Sequence, residues 1–323
     1  MRAIQIKAFG EPDTLLELVD LPEPPVPGPG QVLLGVEFSP LNMHDLHVVR
    51  GHFFHEPELP GVVGNEGVGK VLQVGAGVDN VAVGDRVLVP LFSWSWRERL
   101  VVPAAGLFAL PADADPVQLS MLGINPPTAA LLLSQFHMPE PGDWIVQNCA
   151  NSGVGRSVIA IARERGIKTI NIVRRAELVD ELKQAGADLV FVDGPKVADE
   201  IRVSVGNDRV PLGFDGIGGA ATGVLAKIVT NKGWVAAYAF ISGQPAAIDS
   251  IDLVAKRIKV TGFFLGYPDF APLIPAALKE SAKLIADGKL FVPVAATYPL
   301  SAIKEAAAHV ERGGKVILDI TAA

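Results

Sequence analysis

From about residue 123 the apolar residues of this chain stop falling in short punctuated runs and alternate between two periods. The successive segments are "DWIVQN", "VGRSVIAIARERG", "KTINIVR", "AELVDELKQAG", "DLVFV", "VADEIRVSVG", "VPLGFDGIG", "ATGVLAKIV" and "GWVAAYAF". Strand, helix and strand again, repeated, demands a parallel sheet, because each crossover helix returns the chain to the same end of the sheet. The pattern predicts a doubly wound α/β domain. Up to about residue 110 the chain lacks helical periodicity: runs such as "QVLLGVEF", "GKVLQVG" and "DRVLVPL" are separated by "PEPPVPGPG" and "GAGVDN", as in a small irregular β-barrel. A length of 323 residues exceeds what one core usually organises, so two domains are expected. The last segments, "APLIPAALKESAKLIADGKL" and "PVAATYPLSAIKEAAAHVERGGKVILDI", do not simply extend the parallel wind and are expected to fold back onto the first domain. The division expected is residues 123–262 for the parallel-sheet domain, with 1–122 and 263–323 forming the other.

The turn after the first strand of the wind decides what that domain binds. "DWIVQN" runs into "CANSGVG" and then a helix beginning near Val154. Small residues there let the backbone turn sharply and approach a pyrophosphate, whose charge sits at the helix N-terminus. Ala150 and Ser152 stand where the GxGxxG pattern has its first two glycines. Strand before and helix after make this a dinucleotide site, carried by Asn148, Asn151, Ser152, Gly153, Val154 and Gly155. The second strand ends in Val173, Arg174 and Arg175, without the Asp or Glu that binds a ribose 2′-hydroxyl. Two guanidinium groups at that position suit a 2′-phosphate, so the expected cofactor is NADPH.

Composition removes several function classes. Acidic residues number 35 against 28 basic ones, a net charge of -7, with no basic tract suited to a phosphate backbone, so nucleic acid is not an expected partner. The single cysteine, Cys149, excludes an intramolecular disulfide and a four-cysteine zinc lobe. A reducing, cytoplasmic setting is expected, since the start "MRAIQIKAFGEPD" has no leader character and the longest uncharged run, residues 117–139, is broken by "INPPT" and two glutamines. No membrane association is expected.

The runs "QNCANSGVGRSVIAIARERGIKTINIVRR" (residues 147–175), "GINPPTA" (123–129) and "GNEGVGKV" (64–71), together with "YAFISGQP" and "VTGFFLGYP", resemble the 2-enoyl thioester reductases. These belong to the zinc-free, quinone-oxidoreductase-like branch of the medium-chain dehydrogenase/reductase superfamily. The resemblance covers nearly the whole chain. It implies a GroES-like catalytic domain split around a Rossmann domain, NADPH as hydride donor, and a homodimer joined through the Rossmann sheet. It also implies that Asn42, Trp96 and Thr128 line the nicotinamide and substrate cleft. Tyr238, Phe240, Phe263, Phe264 and Leu265 fall on the family's nicotinamide-side contacts.

Two departures matter. Asn42 and Asn65 occupy positions where the metal-dependent branch has Cys and His, and residues 123–128 offer no thiolate, so no metal is expected and Glu66 is expected to be structural. His44, His47, His52 and His55, beside Asp45, Glu56 and Glu58, could hold a metal, but they match no ligand spacing; a polar, partly exposed loop is the plainer reading. The second departure is at Phe53, which the ungapped match "GHFFHEPELPGVVGNEG" sets on the tyrosine that, in the resembled reductases, donates the proton or steadies the enolate. General acid catalysis by a placed side chain is worth about 10²–10⁴ in rate, so its loss needs an answer. His52, His55 or His44 takes over, or water protonates the enolate, or the substrate does without that acid, as a quinone would. Phe53 packing an apolar cleft wall is compatible with each. The function expected is NADPH-dependent reduction of an activated C=C bond or a quinone, small-molecule chemistry without metal. The alternative is an NADPH-binding redox sensor or accessory protein.

Overall fold

Changes in apolar period become changes of element in the computed structural model, which describes residues 1–53 and 55–322. The strands are Arg2–Ile6 (β1), Glu17–Asp20 (β2), Gln31–Leu41 (β3), Gly61–Val62 (β4), Val68–Val74 (β5), Arg86–Leu88 (β6), Arg99–Pro103 (β7), Trp144–Gln147 (β8), Lys168–Val173 (β9), Leu189–Val192 (β10), Leu212–Asp215 (β11), Trp234–Ala237 (β12), Lys259–Gly262 (β13), Ala296–Pro299 (β14) and Val316–Asp319 (β15). The helices are Pro12–Leu15 (α1), Met43–Val49 (α2), Pro116–Ser120 (α3), Asn125–Leu132 (α4), Gly153–Glu164 (α5), Leu178–Gln184 (α6), Val197–Val205 (α7), Ala220–Ile228 (α8), Ser250–Lys256 (α9), Ile274–Ala286 (α10) and Ile303–Arg312 (α11). Two units form: one of Met1–Ile124, Leu278–Gly288 and the chain from Val292 onward, the other of Asn125–Ala277 with Lys289–Phe291. Among the described residues no helix is long and apolar enough to cross a membrane.

The second unit is the doubly wound parallel sheet that the alternation predicts, with strand order β10-β9-β8-β11-β12-β13. Its central strands carry apolar side chains on both faces because helices cover both. Ile145, Val146, Ile170, Leu212, Phe214 and Val235 are all fully buried. The order reverses between β8 and β11, and the crevice outside the strand C-termini at such a reversal is where these sheets take ligands. The helix that follows β8, α5, buries Val158, Ile159, Ile161 and Ala162, an apolar stripe at helical spacing. Gly155 is required where it enters: an added Cβ would lie 2.5 Å from the Ala150 carbonyl oxygen.

The first unit contains an antiparallel sheet β2-β1-β4 and a second sheet β14-β15-β3-β5-β6, with β7 also paired to β3. Strand β3 shifts register between Leu33 and Leu34 and again between Val36 and Phe38 against β5, which lets a long strand bend around the core. The C-terminal β15 pairs antiparallel with β3, Val316 opposite Leu41. The core gathers Ile4, Leu34, Leu46, Val87, Trp96 and Leu318 around that sheet. Gly64, at φ +96°, sits against the Trp96 indole: a Cβ there would fall 2.2 Å from Trp96 Cδ1.

Candidate active site

In the parallel-sheet unit the expected cofactor residues follow the C-terminal ends of their strands. Residues 148–155 follow β8, Arg174 and Arg175 follow β9, Tyr238 and Phe240 follow β12, and residues 263–265 follow β13. The strand ends flanking the reversal are tied together by side chains. Asn148 Nδ2 donates to Asp215 Oδ1 at 2.7 Å, and the Gly216 amide donates to Asn148 Oδ1 at 2.7 Å. Asp215 Oδ1 also accepts from the Ile217 and Gly218 amides at 2.9 and 3.0 Å, and Thr222 Oγ1 donates to Asp215 Oδ2 at 2.5 Å. A fully buried carboxylate with this many donors is satisfied, and it fixes the loop after β11. Gln147 Nε2 donates to the Gly155 carbonyl at 3.0 Å and to Asn171 Oδ1 at 2.8 Å, anchoring the other side of the turn.

Ser152 Oγ accepts the Gly155 amide at 3.1 Å as the N-cap of α5. Three buried polar atoms described in this unit lack partners of ordinary geometry: Gln147 Oε1, Asn125 Nδ2, which would be 2.6 Å from a Cβ on Gly153, and Tyr238 Oη, which would be 2.7 Å from one on Gly216. Asn125 Nδ2, an unpartnered donor close to the start of α5, fits a pyrophosphate. Burial pushes the Tyr238 hydroxyl far above the usual tyrosine range, so it stays a neutral donor. Burial likewise holds the Cys149 thiol up to about 11, so it is not a thiolate at neutral pH. Asn151, Arg174 and Arg175 are exposed, and Arg175 Nε lies 3.4 Å from Glu177. Phe240 is exposed, while Phe263 and Leu265 are buried and Phe263 stacks on Phe270 at 4.9 Å. Thr128 is buried in α4.

The first unit holds a separate polar cluster. Asn42, at the start of α2, donates from Nδ2 to Glu66 Oε1 at 2.8 Å and accepts on Oδ1 from Lys315 Nζ at 2.5 Å. Asp45 Oδ2 accepts from the Asn42 backbone amide at 2.7 Å, and Asp45 Oδ1 accepts from the Asn65 backbone and side-chain amides at 3.1 and 2.9 Å. Ser39 and Ser95 hydroxyls donate to the Glu66 carbonyl at 2.6 and 2.8 Å, so the Glu66 backbone is fixed from two sides. Glu66 is 0% exposed and its Oε2 has no partner of ordinary geometry. Burial raises its pKa to about 7, against the opposing pull of Lys315, the Asn42 amide and the Ile124 amide, with Asp45 adding to the rise. The same burial lowers Lys315, against Glu66 and Asp45. Trp96 lies wholly in the core with Nε1 unpartnered.

The zinc of metal-dependent relatives does not fit these residues. The amide oxygen of Asn42 is taken by an ammonium, Asn65 turns its amide nitrogen to Asp45, and no thiolate is at hand. Among the described residues no group of three or more His, Cys, Asp or Glu is gathered to hold a metal ion. Two histidines of residues 44–55 make aromatic contacts instead: His55 packs 4.1 Å from Phe92 and stacks 5.4 Å from Trp94, and His44 faces Phe53. Asp215, Asn125 and Lys315 are the residues that sequence reasoning missed. "FDGIGG" carried a signal for the first, an acid at a strand end before glycines.

Residues 28–112 match the alcohol dehydrogenase GroES-like domain and residues 153–283 the zinc-binding dehydrogenase family. The mitochondrial enoyl-[acyl-carrier-protein] reductase of Rattus norvegicus is 32% identical over 319 residues, covering 95% of this chain and 84% of that protein. The mitochondrial 2-enoyl thioester reductase Etr1p/Etr2p heterodimer from Candida tropicalis has a similar fold, with a TM-score of 0.88, 21% identity and coverage of 98% of this chain and 99% of that one. A mycobacterial quinone oxidoreductase matches at a TM-score of 0.85 and 27% identity, over 98% of this chain and 99% of that one. The two domain matches and the near full-length identity place the chain in one family: it belongs to the medium-chain dehydrogenase/reductase oxidoreductases, among those resembling the enoyl thioester reductases.

Proposed function

We propose that this protein is a zinc-independent, NADPH-dependent reductase of small molecules carrying a C=C bond conjugated to a carbonyl, or of quinones. The observation that carries the reading is the shared strand-end edge, where the capped turn 148–155 and the Arg174-Arg175 pair follow adjacent parallel strands. The related Etr1p has been solved with NADP and crotonyl-CoA, which supports the same ligand classes here.

In this reading the α5 N-terminus, Ser152 and the unpartnered Asn125 Nδ2 take the pyrophosphate, and Arg174 and Arg175 take the 2′-phosphate. When bound, NADPH supplies the hydride. Asn42 serves the substrate carbonyl as a hydrogen-bond donor, so that charge developing on that oxygen meets a fixed dipole. Thr128 and the residues after β12 and β13 are assigned to shaping the nicotinamide surroundings. Phe53 has no proton to give, so protonation of the enolate is the handicapped step. That same residue favours the second reading, an NADPH-binding sensor or accessory protein. The two part in one experiment: NADPH oxidation measured with a panel of enones, 2-enoyl thioesters and quinones. A reductase consumes NADPH with at least one class, and a binder only changes its fluorescence.

Among the described residues edge strand β13 pairs only with β12 and carries an exposed Val260, and α9, which precedes it in the chain, exposes Ile251 and Val254. An uncovered edge with apolar flanks invites pairing with a second copy, and we take the solution state to be a homodimer joined there. The lone free Cys149 fits a reducing compartment, and we assign the cytoplasm, although the rat relative is mitochondrial. Cell fractionation decides between them.

A further inference from the structure

We propose that Glu66 and Lys315 are positioning residues that clamp the side-chain amide of Asn42 in one orientation, committing it to act as a hydrogen-bond donor toward an acceptor oxygen of the substrate. This rests on the reductase reading for the substrate, and on the structure for the clamp.

An asparagine amide presents nearly the same shape when its oxygen and nitrogen are exchanged, so position alone does not say which end faces a ligand. Here the two neighbours decide it. Lys315 has donors only and sits on Oδ1, while Glu66 Oε1 accepts from Nδ2. Exchange would set the amide oxygen against a carboxyl oxygen and the amide nitrogen against an ammonium, losing two hydrogen bonds and creating two repulsions. Each jaw is itself held. Glu66 is anchored through its carbonyl by Ser39 and Ser95. Lys315 stands next to Val316, which pairs with Leu41, so the register of β15 on β3 carries Lys315 to the place opposite Asn42.

One Nδ2 hydrogen is used by Glu66, which leaves the second for a ligand. The ammonium on Oδ1 draws electron density through the amide and strengthens that remaining N–H as a donor. The ligand class follows: a substrate whose oxygen gains negative charge as it is reduced, such as a thioester carbonyl or a quinone oxygen, and not an isolated alkene.

The test compares Glu66→Ala, Glu66→Gln, Lys315→Met and Lys315→Arg in the full chain, with two readouts. In steady-state NADPH oxidation with the best substrate of the panel, Ala and Met should lower kcat by about ten-fold or more with little change in KM for NADPH. Gln, which keeps the acceptor, and Arg, which keeps the cation, should restore most of that loss. In NMR of the selectively labelled protein, the Asn42 side-chain amide should hold one dispersed pair of resonances in the native, Gln and Arg forms and move toward solvent-exposed values in the Ala and Met forms. Unchanged kcat in both truncations, or a fall in kcat with the Asn42 amide resonances unmoved, would overturn the clamp. A native protein with a fixed Asn42 amide and no reductase activity on any substrate supports the clamp and sinks the reductase reading instead.

Discussion

The Phe53 ring lies with its centroid 5.8 Å from that of His44, tilted by 34°, so the residue that the resemblance sets on the reductases' tyrosine packs against an imidazole. His44 Nε2 lies 3.5 Å from Asp45 Oδ1, and burial lowers the imidazole pKa more than Asp45 raises it. His44 is therefore neutral at pH 7 and a weak source of protons there. Phe53→Tyr places a hydroxyl in this contact and should raise turnover of a short 2-enoyl thioester by roughly ten-fold or more. His44→Ala, His52→Ala and His55→Ala, assayed beside it, reveal any histidine that has become the substitute donor. Rapid native turnover of the thioester, unaltered by all four changes, would mean that position 53 is remote from the protonated carbon.

Replacing Arg174 and Arg175 together by Ala should weaken NADPH by at least about ten-fold more than NADH, since charge-assisted bonds to the 2′-phosphate are lost only for the former. Both side chains are exposed, so the fold should not suffer. Fluorescence titration with the two cofactors measures it, and equal losses refute the assignment.

Glu66 gives the fold a pH dependence of unusual sign for a carboxyl. Its pKa rises from 4.5 to about 7 on folding, so between those values the native state binds more protons than the unfolded one. The contribution is fully present below about pH 4.5 and is lost as pH rises through about 7, amounting to about 3 kcal/mol at most. Lys315 and Asp45 both act on this carboxyl, Lys315 opposing the rise and Asp45 adding to it. Glu66→Gln should flatten the decline in urea-unfolding free energy between pH 5 and pH 8; an identical slope in both proteins would show that Glu66 does not titrate there.

The parallel wind was legible because its signal is local: each strand and each helix writes its own period, and the turn "CANSGVG" lies between neighbours in sequence. The cluster around Asn42 was not. Lys315 is 273 residues from Asn42 and reaches it only through the pairing of β15 with β3, a register that no periodicity encodes. Glu66 was expected to be structural, and its two serine anchors show why it sits where it does, but its raised pKa depends on burial contributed by distant segments. Trp96 was placed in the cleft by resemblance, and the structure adds that the indole lies in the core against Gly64.

The cluster also makes a prediction about zinc that substitution at the two ligand positions alone cannot reverse. Asn42→Cys with Asn65→His would restore a thiol and an imidazole, yet the Lys315 ammonium would remain beside the new thiolate and repel a divalent cation from the spot it already serves. The purified native protein should carry no stoichiometric zinc and keep its activity after chelation. The double variant should bind zinc only weakly, and adding Lys315→Met should strengthen that binding by about ten-fold or more. Metal analysis and competition with a chromogenic chelator measure all three proteins. Tight zinc in the native chain, with activity lost on its removal, would show that the polar cluster around Asn42 has been misread.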